Sequence, residues 1–139
     1  MSKPLVMDLV LGGQAKSLEP LNLHGIYRLQ DDHFNNYPYW YQLNGSHAIW
    51  FRDSTRRWYL GPKHYLGGYH YDIKLAGPRG IDKAPTQIRK GWEYWHNAWT
   101  LRVAADSEII FQDLSPSKLK NLVIRNQIAN TKFSYFSGC

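Results

Sequence analysis

The chain has 139 residues, with 17 Lys and Arg against 11 Asp and Glu and a formal net charge of +6. That length suits one domain able to bury a core without help from metal or disulfides. The single cysteine, Cys139, excludes an internal disulfide framework and a cysteine-based metal cage, and it favours a reducing intracellular compartment, cytoplasm or organelle interior.

In chain order, the run Leu5 to Leu11 is apolar enough for a strand and ends at Gly12-Gly13. At seven residues, broken by Asp8, it falls far short of the ~20 apolar residues of a membrane span. Residues 14–24 are polar and contain Pro20, which reads as a loop. A second strand follows at Gly25 to Leu29. Residues 1–24 are therefore expected to form an N-terminal strand and extended arm.

Residues 38–61, PYWYQLNGSHAIWFRDSTRRWYLG, read as three strands joined by two turns. Aromatic and branched residues cluster at Tyr39 to Tyr41, Ile49 to Phe51 and Trp58 to Leu60, and such side chains fit a pleated surface. Asn44-Gly45 supplies a tight turn through positive φ angles, and Arg52 to Arg57 supplies the next. A strand is expected at Tyr69 to Leu75, then an irregular segment over 77–90. A hairpin of Gly91 to Trp95 against Trp99 to Val103 follows, and Glu108 to Phe111 reads as one more candidate strand. The pattern predicts an all-β domain over residues 25–114, an antiparallel barrel or sandwich of about eight short strands.

Beyond residue 114 the character changes. Ser115-Pro116 resembles a helix start, and Leu119, Leu122, Val123, Ile124 and Ile128 recur at helical spacing, which predicts a helix over about 116–129. Residues 1–114 hold 13 of the 17 basic residues and all 11 acidic ones, a net of +2. Residues 115–139 add Lys118, Lys120, Arg125 and Lys132 with no acid, a net of +4. This basic tail either stays solvated, packs on its own domain, or docks on an acidic partner.

Motifs for chemistry are scarce. The six histidines, His24, His33, His47, His64, His70 and His96, include no His-Glu-x-x-His, and His64 and His70 with Asp72 form the best pair. There is no Gly-x-Ser-x-Gly and no phosphate-binding Gly-x-x-x-x-Gly-Lys. No catalytic, cofactor or metal residue is assigned.

The order Gly25-Ile26-Tyr27, Asn35-Asn36-Tyr37-Pro38-Tyr39-Trp40, Ile49-Trp50-Phe51, Arg57-Trp58-Tyr59-Leu60-Gly61, then Trp92 and Trp99, resembles a small β-module repeated in large proteins of algae, protists and some animals. Asn36 stands where that pattern usually has Gly, and Trp40 where it usually has Tyr. The resemblance brings no catalytic residues and implies a non-catalytic, repeat-type domain.

Three binding readings follow. The first is a protein-interaction domain, an accessory or structural subunit of a larger assembly, docked through its terminal segments. Its partner-binding residues are Lys118, Lys120, Leu122, Arg125, Ile128 and Lys132. The second is single-stranded nucleic acid, with Trp50 and Trp58 stacking on bases while Arg56 and Arg57 track phosphates. The third is carbohydrate, stacked on the same rings. With Trp, Tyr and Phe at 6, 10 and 5, the alternative use of those rings is to fill a small β core.

Overall fold

The structure is a computed structural model and describes residues 3–67, 73–80, 82–95 and 101–114. Within them lie nine strands: β1 (Val6–Leu11), β2 (Gly25–Leu29), β3 (Trp40–Gln42), β4 (His47–Arg52), β5 (Arg57–Pro62), β6 (Leu75–Ala76), β7 (Glu93–Trp95), β8 (Leu101–Val103) and β9 (Ile109–Asp113). All neighbours pair antiparallel in one sheet, in the order β8-β7-β6-β5-β4-β3-β2-β1-β9, curled into a half-barrel. The all-β expectation stands. The count of eight is corrected to nine, because residues 109–113 form a full strand against β1, with Leu9 opposite Phe111.

Alternation along the strands assigns the faces. Met7, Leu9 and Leu11 of β1 point into the curl with Tyr27, Trp40, Ile49, Phe51, Trp58, Leu60, Leu75, Tyr94, Ile109 and Phe111. Rings meet there edge to face: Trp40 and Trp58 lie 5.5 Å apart, Phe51 and Trp58 4.9 Å. Each fully buried ring or aliphatic side chain stabilises the fold by roughly 1.5–3 kcal/mol over its exposed state.

A second, smaller core lies on the outer face. Tyr39, Ala48, Trp50, Tyr59, Ile73 and Ala76 are buried there, with Phe34, Tyr41 and Leu66 packed against them. Phe34 and, just after the short 3-10 turn Lys63–Tyr65, Leu66 cover it, with Gly67 against the Phe34 ring. Strands β4 and β5 are thus buried on both faces, which is why Ala48 to Phe51 and Trp58 to Gly61 lack polar alternation.

Residues 14–24, expected as a loop, contain a 3-10 helix, Gly13–Leu21, that buries Ala15 and Leu18. Its free amides find their acceptor far along the chain. Glu108 takes the N–H groups of Gln14 (2.6 Å) and Ala15 (3.2 Å) on one carboxylate oxygen and that of Ala105 (2.5 Å) on the other. These bonds to the ionised form hold the Glu108 carboxyl below the usual carboxylate range.

Among the described residues β8 and β9 are the two edges, although only five residues, 104–108, connect them. Residues 84–92 lie over the gap. Ala84, Ile88 and Trp92 are buried, the Trp92 ring sits 5.2 Å from Phe111, and Ser107 N–H donates to the Arg89 carbonyl. The expected strand over 69–75 is seen only as Leu75–Ala76, and part of that stretch lies outside the described residues. The predicted helix over 116–129 lies outside them entirely.

Candidate functional site

The side chains singled out for stacking are structural. Trp50 (1% exposed) belongs to the outer core and Trp58 (0%) to the inner one, so neither ring has a face open to a ligand. Three buried indoles tie the sheet to its surroundings: Trp40 donates to the Pro4 carbonyl (2.8 Å), Trp58 to Lys83 (2.7 Å) and Trp92 to Ile88 (3.3 Å). The Trp50 indole N–H has no partner among the described residues.

Arg57 is buried as well. Its Nε donates to the Gly77 carbonyl at 2.6 Å, and its Nη2 lies 3.0 Å from a Glu93 carboxylate oxygen, joining β5 to β7. Arg56, in the left-handed conformation with φ 55°, donates to Asp53 and to the Tyr37 hydroxyl, pairs with Asp82, and lies 5.0 Å over the Phe51 ring. Both guanidinium groups clamp neighbouring loops. The proposed tail contacts Lys118, Lys120, Leu122, Arg125, Ile128 and Lys132 lie outside the described residues.

Two surface features remain. The first is the outer face of the β7–β8 hairpin. Trp95 pairs with Leu101 and Glu93 with Val103, so these side chains share one face. Trp95 is 39% exposed, Leu101 49% and Val103 65%. β8 is an edge strand among the described residues, so apolar side chains stand beside backbone groups that face no neighbouring strand.

The second is a cleft of about 810 Å³ where residues 21–24, 42–46 and Lys63 converge. Gln42 is its back wall. Its amide nitrogen donates to the Asn22 carbonyl (2.7 Å) and the His24 carbonyl (3.0 Å), which turns its oxygen toward His47. That oxygen accepts from the His47 backbone N–H (3.2 Å) and lies 3.0 Å from Nδ1, so the imidazole proton sits on Nδ1. Burial, reinforced by Lys74 and Lys63, pushes the His47 pKa down.

Two left-handed residues shape the rim: Asn22, which ends the 3-10 helix, and Asn44 in the β3–β4 turn, at φ 57° and 59°. Only the first residue of the expected Asn44-Gly45 turn takes a positive φ. Gly45 is required by proximity, since a Cβ there would stand 2.1 Å from the Gln42 side-chain oxygen. Lys63 forms the side wall. Its ammonium donates to the Gln42 carbonyl at 3.0 Å and lies 5.0 Å over the Tyr41 ring, and burial lowers its pKa. No sequence motif marks this cleft, because three separate segments build it.

His24, His33 and His64 are exposed, while His70 and His96 lie outside the described residues. Among the described residues no three His, Cys, Asp or Glu side chains gather as a metal site, and no helix is long and apolar enough to cross a membrane. The fold is that of a curled antiparallel sheet with a core on each face. Comparison of the chain with protein-family models, curated proteins and solved structures finds no match.

Proposed function

We propose that the protein is a non-enzymatic interaction domain, an accessory or structural subunit of a larger assembly. The observation that carries this reading is the exposed apolar face of Trp95, Leu101 and Val103 along a strand that is an edge among the described residues, where most of the other large rings are taken up by the two cores. The occupant it suits is an extended, apolar segment of a partner protein. Such a segment can add to β8 as an antiparallel strand, gaining backbone hydrogen bonds and side-chain burial together. The basic tail, with Lys118, Lys120, Arg125 and Lys132, supplies a second contact suited to acidic surfaces. Val6–Leu11 pairs on both sides within the sheet, so the N-terminal stretch is not part of the proposed docking. The resemblance to repeated β-modules is consistent with a binding role of this kind.

The test is quantitative recovery of partner proteins by pull-down at physiological salt, comparing the full chain with Val103→Lys and with a chain ending at residue 114. Each change is expected to reduce recovery several-fold. Undiminished recovery with both would overturn the reading. Saturable binding of random-sequence RNA with a steep salt dependence would instead favour the nucleic-acid alternative.

A further inference from the structure

We infer that the cleft between residues 21–24, 42–46 and Lys63 is a binding site for a small oxyanion, a phosphate or carboxylate group. Its lining comprises Leu21, Asn22, His24, Gln42, Leu43, Asn44, Gly45, Ser46 and Lys63 and includes no Asp or Glu. One cation stands in its wall. Lys63 has a carbonyl and a ring face as partners, but no carboxylate lies within 4 Å of its ammonium among the described residues. An ammonium has three protons to donate. A half-buried one with a single strong acceptor and no counter-ion is completed by an anion in the space beside it.

The surroundings add to this preference. Lys74 lies close enough to act on His47 behind the wall, on the same side as Lys63, while the Asp8 carboxylate acts on His24 from outside the lining. Ser46 and Asn44 bring a hydroxyl and a side-chain amide to the rim, the donors that complete an oxyanion site. The frame is also fixed in advance. Gln42 is 6% exposed, and its bonds to Asn22, His24 and His47 lock the back wall, so little ordering is required of the protein when a ligand arrives. Leu21, 45% exposed at the mouth, offers apolar contact to whatever carries the anionic group.

The experiment is a titration of the full chain with inorganic phosphate and, separately, with acetate. Backbone amide shifts are followed by NMR, with chloride holding ionic strength constant. The expected result is saturable shifts at Asn44, Gly45, Ser46 and Lys63 with at least one of the two probes, and the difference between probes tells phosphate from carboxylate preference. Lys63→Met is expected to weaken binding about tenfold or more, while amides of β1 and β9 stay in place as evidence of folding. Should that variant fold poorly, Ser46→Ala serves as the second test and is expected to weaken binding severalfold. Shifts that never saturate, that spread evenly over the surface, or that persist unchanged in the folded variant would overturn the inference.

Discussion

At the scale of single residues, the fold depends on side chains that bond across long stretches of sequence. Gln42 is one, through its bonds to Asn22, His24 and His47. Because a Cβ at position 45 would meet its carboxamide, Gly45→Ala is expected to destabilise the protein by about 1–3 kcal/mol, the cost of overpacking against a group that cannot move aside. Urea unfolding measures it. A substitution tolerated without loss would show that Gln42 yields.

Glu108 is another. Its carboxylate gathers amides from the 3-10 helix and from its own loop, and its pKa lies below that of the unfolded chain. The contribution of a depressed carboxyl is complete above the unfolded value of ~4.3 and is lost as pH falls through the folded value. Glu108→Gln is therefore expected to cost about 1 kcal/mol at pH 7. The gap between variant and parent should narrow toward pH 3. An equal gap at both pH values would assign the effect to shape rather than charge.

At the scale of elements, stability should be graded from the middle of the sheet outward. β4 and β5 are buried on both faces and share six residue pairs, His47 with Pro62 through Arg52 with Arg57. β8 has three residues, two of them exposed, and among the described residues it pairs on one side only. Native-state hydrogen exchange is expected to find the slowest amides in β4 and β5 and fast exchange in β8, since local opening follows burial and pairing. Uniform protection across the sheet would contradict this picture.

The same contrast explains what could be read from the chain. The runs Ile49 to Phe51 and Trp58 to Leu60 announce strands because their composition suits nothing else, and Asn44-Gly45 locates the turn between them. The 3-10 helix was illegible, since Pro20 and Gly12-Gly13 look like loop and the carboxylate that caps it is Glu108. Nor could the spacing of Arg57 and Trp58 tell that both are buried. Trp58 is enclosed by the inner core inside the curl, and Arg57 by the approach of Gly77 and by Glu93 reaching it across β6. The cleft was invisible for a similar reason: Lys63 and Asn22 meet through Gln42, and no local pattern encodes that meeting.

At the scale of the whole molecule, the described residues between 3 and 114 already hold two cores and nine mutually paired strands. A chain ending at Leu114 is therefore expected to fold cooperatively and to melt within a few degrees of the full chain, a shift corresponding to less than ~1 kcal/mol for a domain of this size. Calorimetry decides it. Loss of the transition would show that the last 25 residues belong to the folding unit, and would also change how their deletion is read in a pull-down.

The two rims of the sheet, which pair with no other strand among the described residues, have a further consequence. β8 and β9 are tethered at one end by residues 104–108, and at that end Glu108 is anchored to the amides of Gln14 and Ala15. The slot can therefore widen only at its opposite mouth, as scissor blades part away from the pivot. A foreign strand seeking to complete the barrel has one direction of entry, and it must displace Ile88 and Trp92 as it advances.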